Sequence, residues 1–187
     1  MSIKHPIISV TGSSGAGTST VKHTFQQIFR RESVKAATLE GDAFHRYNRK
    51  EMKKELEKRH AAGDATFSHF SFDANLLPEL EDCFRNYSEQ GTCRYRHYIH
   101  NSNEENLYGA KEGNFTKWEK FEEPSDLLFY EGLHGAVVNE EINLARYADL
   151  KIGVVPVINL EWIQKIHRDT DSRGYSTEAV TDTILRR

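Results

Sequence analysis

The stretch Gly12-Ser13-Ser14-Gly15-Ala16-Gly17-Thr18-Ser19 decides how the rest of the chain is read. Before it lies a β-branched run, Pro6 to Thr11; after it Val21, Phe25, Ile28 and Phe29 recur at helical intervals. Strand, glycine loop and helix in that order form a phosphate cradle, because small residues let backbone N–H groups wrap a polyphosphate at a helix N-terminus. Residues Gly12 to Ser19, with Thr20, are therefore the nucleotide-binding candidates. The usual lysine of the Gly-x4-Gly-Lys-Ser/Thr pattern is Thr18 here, so the cation for the outer phosphates must come from elsewhere, from Lys22 or Lys165. Ser19 keeps the hydroxyl position that holds magnesium. A plain Gly/Ser turn between strand and helix is the bland alternative.

Outward from the loop, Val34 to Glu40 reads as a second strand ending at Gly41-Asp42, followed by a polar helix with Met52 and Leu56 on one face and a stop at Gly63. A helix is expected from Asn75 to Tyr87 and a strand from Arg94 to Ile99. Asn101 to Glu123 is polar and aperiodic, a surface excursion tied down by Phe115, Trp118 and Phe121. Leu127 to Tyr130 and Leu150 to Val157 read as buried parallel strands, with a helix from Glu140 to Tyr147 between them. This alternation predicts an α/β layered fold with a mostly parallel central sheet.

Composition narrows the classes. The 187 residues are 37% hydrophobic, which suits one globular domain. No apolar stretch approaches the roughly 20 residues needed to cross a bilayer, and the N-terminus lacks a secretory signal pattern, so no membrane partner and a cytoplasmic location are expected. Cys83 and Cys93, ten apart, read as ordinary reduced thiols. The net charge of −3 gives no reason to expect nucleic acid. It is unevenly spread: residues 1–60 carry 12 Lys and Arg against 6 Asp and Glu, while the remainder carry 13 against 22. Intrahelical pairs account for most of the basic run after Lys50, but not for Arg46 and Arg49. The chain stops at Leu185-Arg-Arg without a glycine cap or polar tail, as a C-terminally truncated fragment would.

Two acids complete the chemistry. Glu131, at the end of Leu127-Leu-Phe-Tyr, has the position of a magnesium-site acid, or of a cap after the strand. Asp42, ending the second strand, suits either a proton acceptor for an attacking hydroxyl or the N-cap of the next helix.

With Glu40-Gly-Asp-Ala-Phe-His-Arg46, Tyr130-Glu-Gly-Leu-His-Gly135, Gln164-Lys-Ile-His-Arg-Asp169 and Arg173-Gly-Tyr-Ser176 in order behind the loop, the chain resembles the bacterial-type phosphoribulokinases along its whole length. The resemblance implies a P-loop NTPase-type three-layer sandwich, one kinase domain over residues 1–187, and MgATP-dependent phosphorylation of ribulose 5-phosphate at its first-carbon hydroxyl for the Calvin cycle. It implies Asp42 as base, Glu131 as second acid and Lys165 at the ATP phosphates, with magnesium met by Ser19, Asp42 and Glu131. His45, Arg49, Tyr98, His100, Arg168 and Arg173 would contact the sugar phosphate. It further implies a homo-oligomer with NADH and AMP as effectors, for which Arg31, Arg186 and Arg187 are positions to consider. The family continues for about another third of its length beyond Arg187. A uridine kinase-like or pantothenate kinase-like enzyme is the nearest rival; a nucleotide-dependent regulatory protein is the rival from another class.

Overall fold

The computed structural model describes residues 4–64, 66–121, 123–171 and 174–185. Its centre is a four-stranded, all-parallel sheet in the order β2-β5-β1-β6, with β1 at Ile7–Gly12, β2 at Ala36–Glu40, β5 at Leu127–Gly132 and β6 at Leu150–Val154. A two-stranded antiparallel ribbon, β3 (Arg94–Tyr95) with β4 (Glu119–Lys120), stands apart from it.

Side chains alternate faces along each strand, and the two faces have separate cores. Ile7, Leu39, Leu128 and Tyr130 pack with Leu80, Phe84 and Tyr87 of helix α3 (Leu77–Gln90). Val10 and Phe129 meet Phe25 and Phe29 of helix α1 (Thr18–Arg31) on the opposite face. Sheet between helices is the expected layered architecture. Each buried aromatic or aliphatic side chain contributes about 1.5–3 kcal/mol by leaving water. β6 forms one edge of the sheet: Leu150 is exposed, as are Val155, Val157 and Ile158 beyond the strand.

Helix α2 (Arg49–Ala61) opens on a capping box in which Asn48 and Glu51 satisfy each other's backbone N–H groups, and Met52 and Leu56 are its apolar face, as expected. The expected helix at Asn75 begins two residues later and runs on to Gly91, which turns the chain in the left-handed region (φ 73°). That turn doubles the chain back and overturns one expectation: Cys83 and Cys93 are not separate thiols but a disulfide, their Cα atoms 4.9 Å apart.

Two further expectations are corrected. Residues 94–99 do not form one strand. Pairing stops after Tyr95 because the His97 N–H is taken by the Thr116 hydroxyl (2.9 Å), and the contact resumes only as a bridge between Tyr98 and Phe115. Residues 140–147 do not form an α-helix either. Asn139 accepts from the N–H groups of Glu141 and Ile142, and Asn143 from that of Arg146, so only one 3-10 turn survives at Leu144–Arg146. The polar excursion holds a helix of its own, α4 (Ser102–Tyr108), capped by Asn101; Trp118 and Phe121 do anchor the segment to the main core. The chain closes with α5 (Ile158–Asp171) and α6 (Thr177–Leu185). No described helix is long and apolar enough to cross a membrane.

The ends of β2 and β5 approach over the buried Tyr130 ring because the contact residues lack side chains. A Cβ on Gly132 would lie 2.6 Å from the Tyr130 hydroxyl oxygen and 2.8 Å from Gly41 Cα. Gly132→Ala should therefore destabilise the fold by about 1–3 kcal/mol in urea unfolding. Gly153→Ala, where an added Cβ meets nothing within 4 Å, should change stability by no more than about 0.5 kcal/mol.

Candidate active site

The glycine loop leaves β1 and enters α1 through Gly15 (φ 97°) and Gly17 (φ 96°), a left-handed backbone that side chains other than glycine rarely adopt. No acid stands in the first turn of α1 and no side chain caps it, which leaves the helix N-terminus suited to an anion. Helix α5 lies across the loop. A Cβ on Gly15 would meet Lys165 Cβ at 3.2 Å, and the Arg168 guanidinium donates to the Ser14 hydroxyl at 2.8 Å. A cleft of about 360 Å³ opens beside the loop between Gly12, Ser13, Pro156 and Glu161. A larger cleft of about 460 Å³ lies on α2, along Arg46, Glu51 and Lys54, away from the loop.

Lys165, one of the two cations considered for the missing loop lysine, is thus beside the loop despite its distance in sequence. It is not on an exposed helix face: it is buried and donates to Asp169 at 2.7 Å, one turn along α5. Asp169 accepts from Arg168 as well, at 2.9 Å. Burial pushes the Asp169 carboxyl up, but these two cations outweigh it and hold the group below the usual aspartate range. Lys22, the other considered cation, points to the sheet instead.

Strand pleat explains that direction. Glu40 and Glu131 are register partners on β2 and β5 and face the α1 side, where Lys22 waits. Lys22 Nζ lies 2.6 Å from Glu40 and 4.0 Å from Glu131. Burial works against the Lys22 charge, yet the two carboxylates raise its pKa overall. Glu131 is itself raised, chiefly by burial, against hydrogen bonding from Thr18 and the Lys22 charge. Thr18, which replaces the loop lysine, therefore reaches the second acid; Ser19 and Thr20 are exposed.

Asp42 sits in a 3-10 turn, Gly41–Phe44, immediately past β2. Its carboxylate is 45% exposed and meets two imidazoles, His45 Nε2 at 3.3 Å and His100 Nε2 at 3.4 Å. His45 is further held through Nδ1 by Asn75 Oδ1 at 2.8 Å. Burial pulls the His45 pKa down, but Asp42 and Asn75 outweigh it and raise the value overall. Tyr98 stacks edge-on to both His45 and His100. Arg49 joins the group: its guanidinium pairs with Glu112 and donates to the His100 carbonyl (3.1 Å), and it hydrogen-bonds Tyr98.

Asp42, His45, Arg49, Tyr98 and His100 are therefore one cluster, although 58 residues separate the first from the last. Lys165, Arg168 and the loop form a second group, and Glu131 stands near the α1 end of β5. Arg173, Arg186 and Arg187 lie outside the described residues. Three further residues belong to this neighbourhood. Asp169 carried a legible signal, its i,i+4 spacing from Lys165. Glu40 could have been found from its strand parity with Glu131. Asn75, two residues before α3, carried none.

Comparison with known proteins converges on one family. The model of the phosphoribulokinase / uridine kinase family matches residues 7–187. Phosphoribulokinase 1 of Cereibacter sphaeroides is 71% identical over 187 residues, covering 100% of this chain and 64% of the relative. Phosphoribulokinase of Nitrobacter vulgaris is 65% identical over 184 residues, covering 98% and 63%. A solved phosphoribulokinase from Rhodobacter spheroides superposes with a TM-score of 0.84 at 68% identity, over 98% of this chain and 63% of that one. The chain thus spans a little under two thirds of the length of the relatives it matches. With a P-loop NTPase fold and a match running from its first strand to its last residue, the chain belongs to the phosphoribulokinase / uridine kinase family.

Proposed function

We propose that this chain carries the phosphotransfer site of a phosphoribulokinase, an enzyme that moves the terminal phosphoryl of ATP to the first-carbon hydroxyl of ribulose 5-phosphate in the Calvin cycle, within one kinase domain. The observation that carries this reading is the Asp42 carboxylate between two imidazoles, at the same end of the parallel sheet as the glycine loop. A half-exposed carboxylate with imidazoles and the Arg49 guanidinium in one cluster suits a phosphorylated alcohol better than a neutral nucleoside.

In this reading the loop from Gly12 to Thr20 wraps the ATP phosphates, with Lys165 supplying the cation that the loop lacks; Arg168, expected at the sugar phosphate, joins it here because its guanidinium donates to Ser14 of the loop. The sugar phosphate is met by His45, Arg49, Tyr98, His100 and Arg173. Asp42 takes the hydroxyl proton while the oxygen moves onto the terminal phosphorus, and the ADP oxygen leaves in line. Hydroxyl and carboxylate oxygens at Ser19, Glu131 and Asp42 are hard donors that fit magnesium. The ion's contribution would be to offset charge on the transferring phosphoryl. The resemblance extends the reading to a homo-oligomer, with NADH and AMP as effectors. Arg31, one position considered for that, pairs with Glu32 at the exposed end of α1.

A coupled assay of ATP consumption by the full-length protein with ribulose 5-phosphate, uridine or pantothenate tests the substrate. Turnover is expected with the first alone; ATP binding with no acceptor dependence would replace this reading with a regulatory one. Asp42→Asn should cut kcat by about 10²-fold or more while leaving ATP affinity nearly intact, whereas Arg49→Ala should chiefly raise the ribulose 5-phosphate KM. Lys165→Met should depress kcat more than sugar binding. In unfolding experiments Lys165→Met, Asp169→Asn and the double variant should return a coupling of about 1–3 kcal/mol, as expected for a buried contacting pair.

A further inference from the structure

Arg96 is a half-buried cation whose job the phosphotransfer reading does not assign. Its guanidinium donates through Nε to the Ala43 carbonyl at 2.7 Å and through Nη2 to the His45 carbonyl at 2.6 Å. One rigid fork therefore spans the carbonyls of the two residues on either side of Phe44. On its flat faces the same group lies over the Phe115 ring, 3.6 Å from the centroid, and near Trp118 at 4.6 Å. Trp118 in turn packs edge-on against Phe44.

The acids that act on Arg96, Glu79 and Glu51, do so through space rather than by a hydrogen bond, and burial pushes its pKa down to about 10. At neutral pH it is still charged. Such a desolvated charge is unfavourable unless compensated, and here the compensation is two carbonyl dipoles and two aromatic rings. The bonds land on the turn that ends β2, where strand pairing has stopped and a single 3-10 turn is too short to satisfy its own carbonyls. Asp42 and His45 are the residues this turn presents.

We propose that Arg96 is a positioning residue for phosphotransfer: by gripping the carbonyls of residues 43 and 45 from the segment that follows β3, it sets the Asp42 carboxylate against the acceptor hydroxyl. Lysine cannot replace it, because an ammonium group has neither the planar fork nor the ring-stacking faces. The inference rests on the phosphoribulokinase reading for its kinetic consequence, but not for its structural one.

Two measurements on full-length wild-type and Arg96→Met and Arg96→Lys proteins test it. Amide hydrogen exchange should show a peptide spanning residues 43–48 exchanging about tenfold faster in both variants, with the α3 peptide unchanged. Equal acceleration of both peptides, or of neither, would overturn the clamp whatever the enzyme's substrate. Steady-state kinetics per ATP-binding site should show kcat down about tenfold or more with the ATP KM within about twofold. A lysine variant that restores wild-type kcat would overturn the positioning role. If wild-type protein shows no turnover with ribulose 5-phosphate, the substrate reading fails while the exchange result still decides the clamp.

Discussion

Pleat and register in the parallel sheet are the constraint on which the site depends. β5 lies between β2 and β1, so that Glu40, Glu131 and Val10 stand side by side on the α1 face, while Leu39, Tyr130 and Ser9 stand on the other. A slip of one residue would send both carboxylates into the α3 core and the apolar row toward α1. Because the register holds, three parallel strands end at one level, and the loop and Asp42 leave the sheet at the end where Glu131 stands.

That concentration of function is electrostatically awkward. Glu40, Asp42 and Glu131 bring three carboxylates to the ends of two neighbouring strands, and burial alone already works against the charge on Glu131. Lys22 stands between two of them, and two imidazoles flank the third. Lys165 and Arg168, by contrast, are paired with Asp169, which keeps two cations at the loop without exposing bare positive charge. The acids at the strand ends and the cations at the loop thus form two poles of opposite charge, the polarity that the proposed phosphoryl transfer would draw on.

Much of this was legible in the residues. The β-branched run, the glycine loop and the helical spacing of Val21, Phe25 and Phe29 point to one local structure, and local agreement of this kind carries to the fold. Where the sequence misleads, side chains have captured backbone groups. Asn139 and Asn143 break the expected helix at residues 140–147, and Thr116 breaks the expected strand at residues 94–99. Such choices depend on which groups meet in space, and linear spacing does not encode that. The same holds for Cys83 with Cys93, whose pairing depends on the turn at Gly91, and for Lys165, whose closeness to the loop depends on how α5 crosses it. The segment just before the polar excursion is the clearest case: its strand-like alternation over residues 94–99 hides the fact that Arg96 and Tyr98, with His100 after them, all close on the turn holding Asp42.

The outer strand has a different consequence. β6 has a neighbour in the four-stranded sheet on one side only, and exposed valines and isoleucines follow it into α5. A row of backbone donors and acceptors beside greasy side chains is a template on which a further strand can grow. This polypeptide handled alone at high concentration would tend to stick to itself there, and a lysine placed at Val155 or Val157 would be the first remedy for a sample that clouds.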